Sequence, residues 1–490
     1  MANLLRSAVY GMNPVVVWFR DDFRVADHPA LHAAASTGRP LVCVYIHEEL
    51  RPLGGAARWW LHGSLCALSE TLAKRGGALI IVRGAASEAL PKLVSAVAAD
   101  TVFWNRRYDG PGRSADATVE DLLRKNAVRV ATFNGRLLHE PWTLTNKAGE
   151  PFRVFSAFWR TALAQGEPQR PLSAPRSLQS HPLPKHCKLQ SLPLGALGLE
   201  PRAPDWAAGL RAQWQVDESA AQARLRRFLA NALHAYPTDR DRPDRHGTSR
   251  LSPYLSFGNI SVRQIWHEAR KAVESRRSPA NVHQLEKFCA ELGWREFNYH
   301  ILYHHPDLAD RNFQSRFDPL RWRRDKRALQ AWQRGLTGYP LVDAGMRELW
   351  TTGWMHNRVR MVTASFLIKH LLIDWRAGEK WFWDTLVDAD PANNAANWQW
   401  VAGSGADAAP YFRIFNPTLQ GEKFDPAGDY VRRWVPELAA LPARLIHKPW
   451  QAPAAQLAAA GVHLGKTYPR PIVDHDRARL RALMNVKSLA

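Results

Sequence analysis

Four short apolar runs recur in the first 105 residues: VVVWF (15–19), PLVCVYI (40–46), ALIIV (78–82) and TVFWN (101–105). Each is continuous rather than alternating, as strands of a parallel sheet covered on both faces read. Segments with helical period, 57–75 and 86–98, lie between them. This alternation predicts an α/β domain over 13–140, built on a doubly wound parallel sheet. The first strand runs into VVVWFRDDFR and not into a Gly-x-Gly-x-x-Gly turn. Dinucleotide binding of the Rossmann kind is therefore not expected there.

Between about 165 and 205 the periodicity stops, and Pro, Ser and Leu dominate. Residues 141–205 are expected to form an inter-domain linker, whose leucines favour lying along a surface. Helical period returns at 217–235, 262–275, 281–305, 340–371 and 376–387, with few strand signals. Residues 206–490 are thus expected to form a large all-α domain. The chain has neither an internal repeat nor a low-complexity tail.

Composition narrows the class. At 490 residues, 46% apolar and 23% charged, the chain has the make-up of a soluble globular protein. No stretch approaches the ~20 unbroken apolar residues of a membrane span, and the first residues lack an export signal. Cys43, Cys66, Cys187 and Cys289 have neither metal-ligand spacing nor a disulfide framework, so reduced thiols, a cytoplasmic location and no metal are expected. The net charge of +21 is uneven: residues 1–140 hold 17 Lys+Arg against 13 Asp+Glu, and the rest hold 49 against 32. Such an excess in the helical part points to a polyanion, with nucleic acid first. Tryptophan, at 21, outnumbers both phenylalanine and tyrosine, which core packing alone does not call for.

Three stretches carry candidate chemistry. In FCAELGWREFNYH (288–300), Phe288, Glu291, Arg295 and Asn298 fall at helical spacing beside Trp294; an ordinary Glu291–Arg295 pair is the plain alternative. In GWMHNRVRMVTASF (353–366), Asn357, Arg360, Met361 and Ala364 share one face of an apolar helix, where an amide and a guanidinium need partners. DADPANNAANWQW (388–400) can supply them. There Asp390–Pro391 reads as an N-cap and first helical residue, Asp388 can accept from Arg360, and Asn394 and Trp398 lie four apart. Acid, arginine and amide together suit a polar heterocycle. GTSRLSPYLSFG (247–258) offers the hydroxyls of Thr248, Ser249 and Ser252 near a helix start, for phosphate or for capping alone.

These stretches, with VVVWFRDDFRVADHPAL, FRVFSAFWR, TGYPLVDAGMREL and YFRIFNPTLQGEKFDP, resemble the DNA photolyase/cryptochrome family over nearly the whole chain. The resemblance implies FAD in the helical domain, active as FADH⁻. It assigns Tyr236, Thr248, Ser249, Leu251 and Ser252 to the FAD phosphates and neighbouring atoms. Phe288, Asn357, Arg360, Asp388, Asp390 and Asn394 join the cofactor set, with Asn394 facing flavin N5. Trp398, Trp375 and Trp322 match a chain that brings electrons inward.

Within the family, Asn357 stands where (6-4) enzymes carry a second histidine, and Asn394 stands where plant cryptochromes have aspartate. Glu291, Trp294, Met361 and Trp400 match the pocket for a flipped-out cyclobutane pyrimidine dimer. Arg240, Arg295, Asn298, Arg358, Arg413 and Gln420 would surround it on the DNA. The chain is most similar to class III bacterial photolyases and lacks the long tail of plant cryptochromes. That implies light-dependent repair of UV-damaged DNA by a nucleoid-associated monomer without an obligate protein partner. The alternatives are a blue-light signalling cryptochrome and a nucleic-acid-binding protein that has kept the flavin shell. A methenyltetrahydrofolate antenna is favoured by the same resemblance, although Pro111 and Gly112 replace the Asn and Glu that class I enzymes use on folate. ARWWLHGSL (57–65) is the other aromatic stretch considered for it.

Overall fold

The computed structural model describes residues 13–48, 50, 52–184, 189, 191–408 and 412–489. Cys187 lies outside the described residues; Cys43, Cys66 and Cys289 are free thiols. The chain forms two compact units, one of residues 1–151, 159–227 and 250–277, the other of 152–158, 228–249 and 278–490. The divisions drawn from composition at 140 and 205 do not coincide with these: 206–227 and 250–277 belong to the first unit.

The first unit is built on five parallel strands, β1 (Val15–Phe19), β2 (Leu41–His47), β3 (Leu79–Arg83), β4 (Thr101–Asn105) and β5 (Arg129–Phe133), in the order β3-β2-β1-β4-β5. Their partners are in register from Val15 to Leu41 and to Thr101. The four expected strands are present. β5 was not expected, because RVATF opens on an exposed arginine and is only partly buried. Between strands run α1 (Pro29–Ser36), α2 (Gly55–Ala73), α3 (Ala86–Ala96) and α4 (Gly110–Lys125). Val16, Val42, Val44, Ile46, Ile80, Val82 and Val102 of the strands form a core with Leu90, Leu93, Val119 and Leu123. The Pro-rich connector lies on this unit: Leu178 N–H donates to the Arg75 carbonyl, Leu41 N–H to Gln179 and Leu192 N–H to Ile81. α5 (Ser252–Ser256) and α6 (Val262–Glu274) also belong to it, with further helices in 159–227.

The second unit is helical: α7 (Val282–His304), α8 (Lys326–Gln333), α9 (Pro340–Thr352), α10 (Asn357–Ser365), α11 (Trp375–Thr385), α12 (Pro391–Ala402), α13 (Pro417–Phe424) and α14 (His475–Lys487) frame it, with shorter helices between. The expected helix 340–371 is broken. Gly353 ends α9 at φ +67°, a left-handed position that glycine adopts without Cβ strain, and His356 Nδ1 caps α10 by accepting from Arg358 N–H at 3.2 Å. A π-helical turn, Phe366–His370, follows α10. One core joins α9, α10, α11 and α12.

Candidate functional site

The start of α12 follows from local chemistry. Asp390 accepts from the N–H groups of Ala392 (3.0 Å) and Asn393 (2.9 Å), and Pro391 occupies the first turn, where its missing N–H costs nothing. Asp390 also accepts from Asn393 Nδ2 and from the Tyr299 hydroxyl at 2.5 Å. Its oxygens are therefore engaged by its own helix and by α7.

Asp388 is the carboxylate that meets the arginine. Its two oxygens accept from Arg360 at 3.1 and 2.8 Å, the parallel fork of a bidentate pair. The Asp388 side chain is 2% exposed and that of Arg360 24%. Arg360 Nε donates to the Met355 carbonyl at 2.7 Å, which fixes the plane of the guanidinium. Asn394, one turn into α12, is buried and donates through Nδ2 to the backbone and side-chain oxygens of Glu379 on α11, both at 3.0 Å. With Nδ2 so engaged, Oδ1 is the atom the amide can offer to a donor. Glu379 is thus a site residue that sequence reasoning missed, because its partner is on another helix. Asn357 is exposed at the first position of α10.

Along α7, Glu291 and Arg295 take other partners than each other, so the plain alternative of an ordinary pair does not apply. Arg295 is buried, pairs with Glu296 at 3.1 Å and lies 4.9 Å from the Tyr299 ring centroid. Glu291 bonds instead to Arg240. Phe288 is buried edge-to-face against Tyr236 at 5.6 Å, and burial raises the Tyr236 phenol well above its usual range. Thr248 and Ser249 are half-buried in this unit. Leu251 and Ser252 belong to the first unit, at the N-cap and first residue of the five-residue α5. The hydroxyl stretch therefore does not open a long helix.

Trp294 and Trp400 line one small crevice, of about 10 Å³, together with Asn298 and Asn397. Trp294 stacks on Phe155 at 3.8 Å and 10°, and Trp400 Nε1 donates to the Asp407 carbonyl at 3.0 Å, so both rings are held flat. Asn298 Nδ2 donates to Asn393, which ties α7 to α12. Met361, half-buried on α10, is not among the residues lining that crevice.

The cations assigned to DNA are unequal. Arg240 is bound to Glu291, Arg358 to Asp241 at 2.9 Å, and Arg295 to Glu296. Arg413 is exposed, and its carbonyl accepts from Lys369, whose ammonium burial pushes down to about 7. Gln420 is half-buried, and its Oε1 has no hydrogen-bond partner among the described residues. Phosphates would have to compete with carboxylates for Arg240 and Arg358. Because Arg413 is exposed and Arg295 buried, Arg413→Gln is expected to reduce the slope of log K against log salt by about one, with little change for Arg295→Gln. Titration of binding to UV-irradiated duplex at several salt concentrations checks this.

The three matched tryptophans share the helical core. Trp398 packs on Phe382 at 5.0 Å and on Trp332 at 6.2 Å. Its ring also lies against Gly378, one turn after Trp375 on α11, so closely that a Cβ there would come within 2.1 Å of it. Trp375 is fully buried, with Nε1 donating to Asn312 at 2.9 Å. Trp322 is half-buried on the same core, and the next residue's N–H donates to the Leu372 carbonyl, just before α11. In the first unit, Trp59 and Trp60 of ARWWLHGSL are buried, Trp60 against Trp214, Tyr254 and Phe257. They pack the interior. Pro111 and Gly112 open α4, whose N-cap is Asp109.

No helix of the described residues is long and apolar enough to cross a membrane, and no group of three or more metal-ligating side chains occurs among them.

Comparison with known proteins gives matches to two family models. Residues 15–177 match the DNA photolyase model, and 288–488 match the FAD binding domain of DNA photolyase. A deoxyribodipyrimidine photo-lyase of Agrobacterium fabrum is 53% identical over 96% of this chain and 97% of its own. Cryptochrome-1 of Arabidopsis thaliana is 40% identical over 95% of this chain and 69% of its own. The crystal structure of a bacterial class III photolyase from Agrobacterium tumefaciens superposes with a TM-score of 0.93, at 52% identity, covering 98% of each chain.

Proposed function

This chain belongs to the DNA photolyase/cryptochrome family, and from that premise we propose how its residues serve as a deoxyribodipyrimidine photo-lyase, splitting cyclobutane pyrimidine dimers in UV-damaged DNA with light. The observation that carries this reading is the helix α12: Asn394 on it is held by Glu379 and, one and a half turns on, Trp400 stands beside Trp294 along one small crevice. A cofactor amide and a substrate wall stand on one rigid element, as pre-organised positioning requires.

FAD fits the donors present. Bound in its reduced anionic form, it supplies the photoexcited electron that opens the cyclobutane ring. The Arg360 guanidinium, fixed by Asp388 and Met355, offers positive charge to an anionic ring without rearranging. Asn394 Oδ1 would be the atom that accepts from a ring N–H. By the family likeness, Asn357 would add a second amide, Tyr236 and Phe288 would contact the cofactor, and Thr248, Ser249, Leu251 and Ser252 would be assigned to its phosphates and neighbouring atoms. Asp390 acts through the start of α12, keeping Asn394 in place.

A dimer leaves the duplex at less cost than an intact pair, since its stacking and pairing are already damaged. Trp294 and Trp400 hold it between their faces, Met361 supplies a further apolar contact, and the Glu291 carboxylate accepts from the pyrimidine N–H groups. Arg240, Arg358, Arg413, Arg295, Asn298 and Gln420 form the surrounding polar rim. Trp400→Ala is expected to lower discrimination between damaged and intact DNA by about tenfold or more, from the loss of one base-stacking surface. Competition binding reads it.

Trp398, Trp375 and Trp322 supply electrons from the surface. Trp375→Phe and Trp322→Phe should abolish light-driven reduction of the bound cofactor yet leave repair by chemically reduced protein near wild type. Steady-state spectra under blue light, with repair assayed in parallel, separate the two steps. If both variants photoreduce normally, the tryptophan assignment is wrong.

A methenyltetrahydrofolate antenna in the α/β part rests on the class III likeness; the bound chromophores can be extracted and identified by mass. A monomer acting in the cytoplasm at the nucleoid completes the reading.

A further inference from the structure

Trp375, the middle indole of the matched chain, stands at one end of a short hydrogen-bonded relay. Its ring is fully buried, and its Nε1 donates to Asn312 Oδ1 at 2.9 Å. Asn312 Nδ2 in turn donates to Asp318 Oδ1 at 2.7 Å. An indole N–H only donates and a carboxylate only accepts, so the amide between them faces one way alone. The carboxylate beyond it strengthens the amide oxygen as an acceptor.

The loop that carries Asn312 is clamped. Gln399, next to Trp398 on α12 and fully buried, donates through Nε2 to the carbonyls of Leu308 at 2.6 Å and Arg311 at 2.8 Å. Its Oε1 accepts from Phe313 N–H at 2.7 Å. One buried amide thus fixes the backbone on both sides of position 312.

Two charged groups stand near the ring. Arg376 lies 4.6 Å from the Trp375 ring centroid, but its guanidinium is held by Asp374 at 3.2 Å and by the Asp310 carbonyl at 2.8 Å. Asp318 is exposed and pairs with no cation among the described residues. Its charge is the one left to act on the indole.

An indole that has given up an electron is a radical cation, and its N–H is a far stronger acid than that of the neutral ring. A base at hydrogen-bond distance would take that proton, leaving a neutral radical that is a weaker oxidant, and the hole would stop there. An amide oxygen accepts the hydrogen bond but is too weak a base to take the proton, and burial keeps water away. Trp322 differs: it is half-buried, with no protein acceptor for its N–H among the described residues.

We propose that Asn312 is a positioning residue that keeps the proton on Trp375 while that ring is oxidised, so that the hole passes on to Trp322. Asp318 stabilises the cation through the amide. The inference rests on the tryptophan chain proposed above. Trp375 gives one electron to oxidised Trp398 and keeps its N–H bond. Trp322 then gives one electron to Trp375, restoring it, and the oxidised Trp322 releases its indole proton to water.

The test uses flavin-loaded Trp322→Phe protein, in which the hole halts at Trp375. Transient absorption after a flash separates the protonated from the deprotonated indole radical. Trp322→Phe alone should show the protonated form until the electron returns. Adding Asn312→Asp/Asp318→Asn exchanges the two polar groups at nearly constant size and charge, and puts a carboxylate on the indole. The N–H bond then breaks toward that carboxylate. The deprotonated form should appear about a hundredfold faster, the lower end of what a positioned base contributes to proton transfer. The step should slow in deuterated water, and the radical should outlive that of Trp322→Phe. Asp318→Asn without the exchange should keep the protonated form, at lower yield. Where the exchange does not fold, Asn312→His supplies a base at the same place, with the same spectrum expected. A deprotonated radical already in Trp322→Phe overturns the proposal, as does a base at position 312 that leaves the radical protonated with unchanged lifetime. A flash signal in Trp322→Phe identical to that of Trp375→Phe refutes the tryptophan chain itself, and the role of Asn312 with it.

Discussion

Arg360→Leu is expected to give a protein that purifies without flavin and unfolds far more readily than wild type. The carboxylate of Asp388 is almost wholly buried, and each of its oxygens accepts from this guanidinium. Removing one partner of a buried pair costs about 3–5 kcal/mol, because the remaining charge stays in a poor solvent. The Met355 carbonyl loses its donor as well. Stability and cofactor loss can be told apart by Arg360→Leu/Asp388→Leu. Replacing both charges with apolar groups should recover most of the stability but none of the flavin, if the guanidinium serves the ring. Urea midpoints and the flavin-to-protein absorbance ratio read the two effects. A single variant with full flavin and wild-type stability would refute the role assigned to the pair.

Gly378→Ala is expected to damage the molecule at a place with no polar chemistry. The new Cβ would fall 2.1 Å from Trp398 Cη2 and 2.6 Å from Leu367 Cδ2, both buried. Overpacking of this kind costs up to about 3 kcal/mol, against ~1 kcal/mol gained by replacing a helix glycine with alanine. The net is a loss of about 2 kcal/mol, and it is relieved only by moving the indole. Photoreduction should therefore fall, while chemically reduced variant still repairs. An unaltered denaturation midpoint with unaltered photoreduction would mean that Trp398 does not rest on α11 as described.

The features legible in the sequence are those decided within a few residues. β1 to β4 could be read because each is a short, nearly continuous apolar run, and the Asp390–Pro391 start of α12 because cap and first turn are neighbours. β5 escaped because an edge strand with an exposed arginine lacks that signature. The break at Gly353 escaped because apolar period continues across it, whereas the left-handed turn is a backbone property. Partner choice was hardest. Helical spacing offers Glu291 to Arg295, yet tertiary packing gives it Arg240, and Asn394 takes a glutamate fifteen residues back. The Arg360–Asp388 pair was legible because a guanidinium on a largely apolar helix face needs an acid and Asp388 stands just before α12, where it can accept from it.

The central claim is that this site repairs dimers with light. Fully reduced holoprotein, mixed with UV-irradiated oligonucleotide, should restore intact pyrimidines under blue light and none in darkness, with Trp294→Ala/Trp400→Ala losing most of the yield. Equal dimer content in the lit and dark samples, with flavin bound and reduced throughout, would contradict the account.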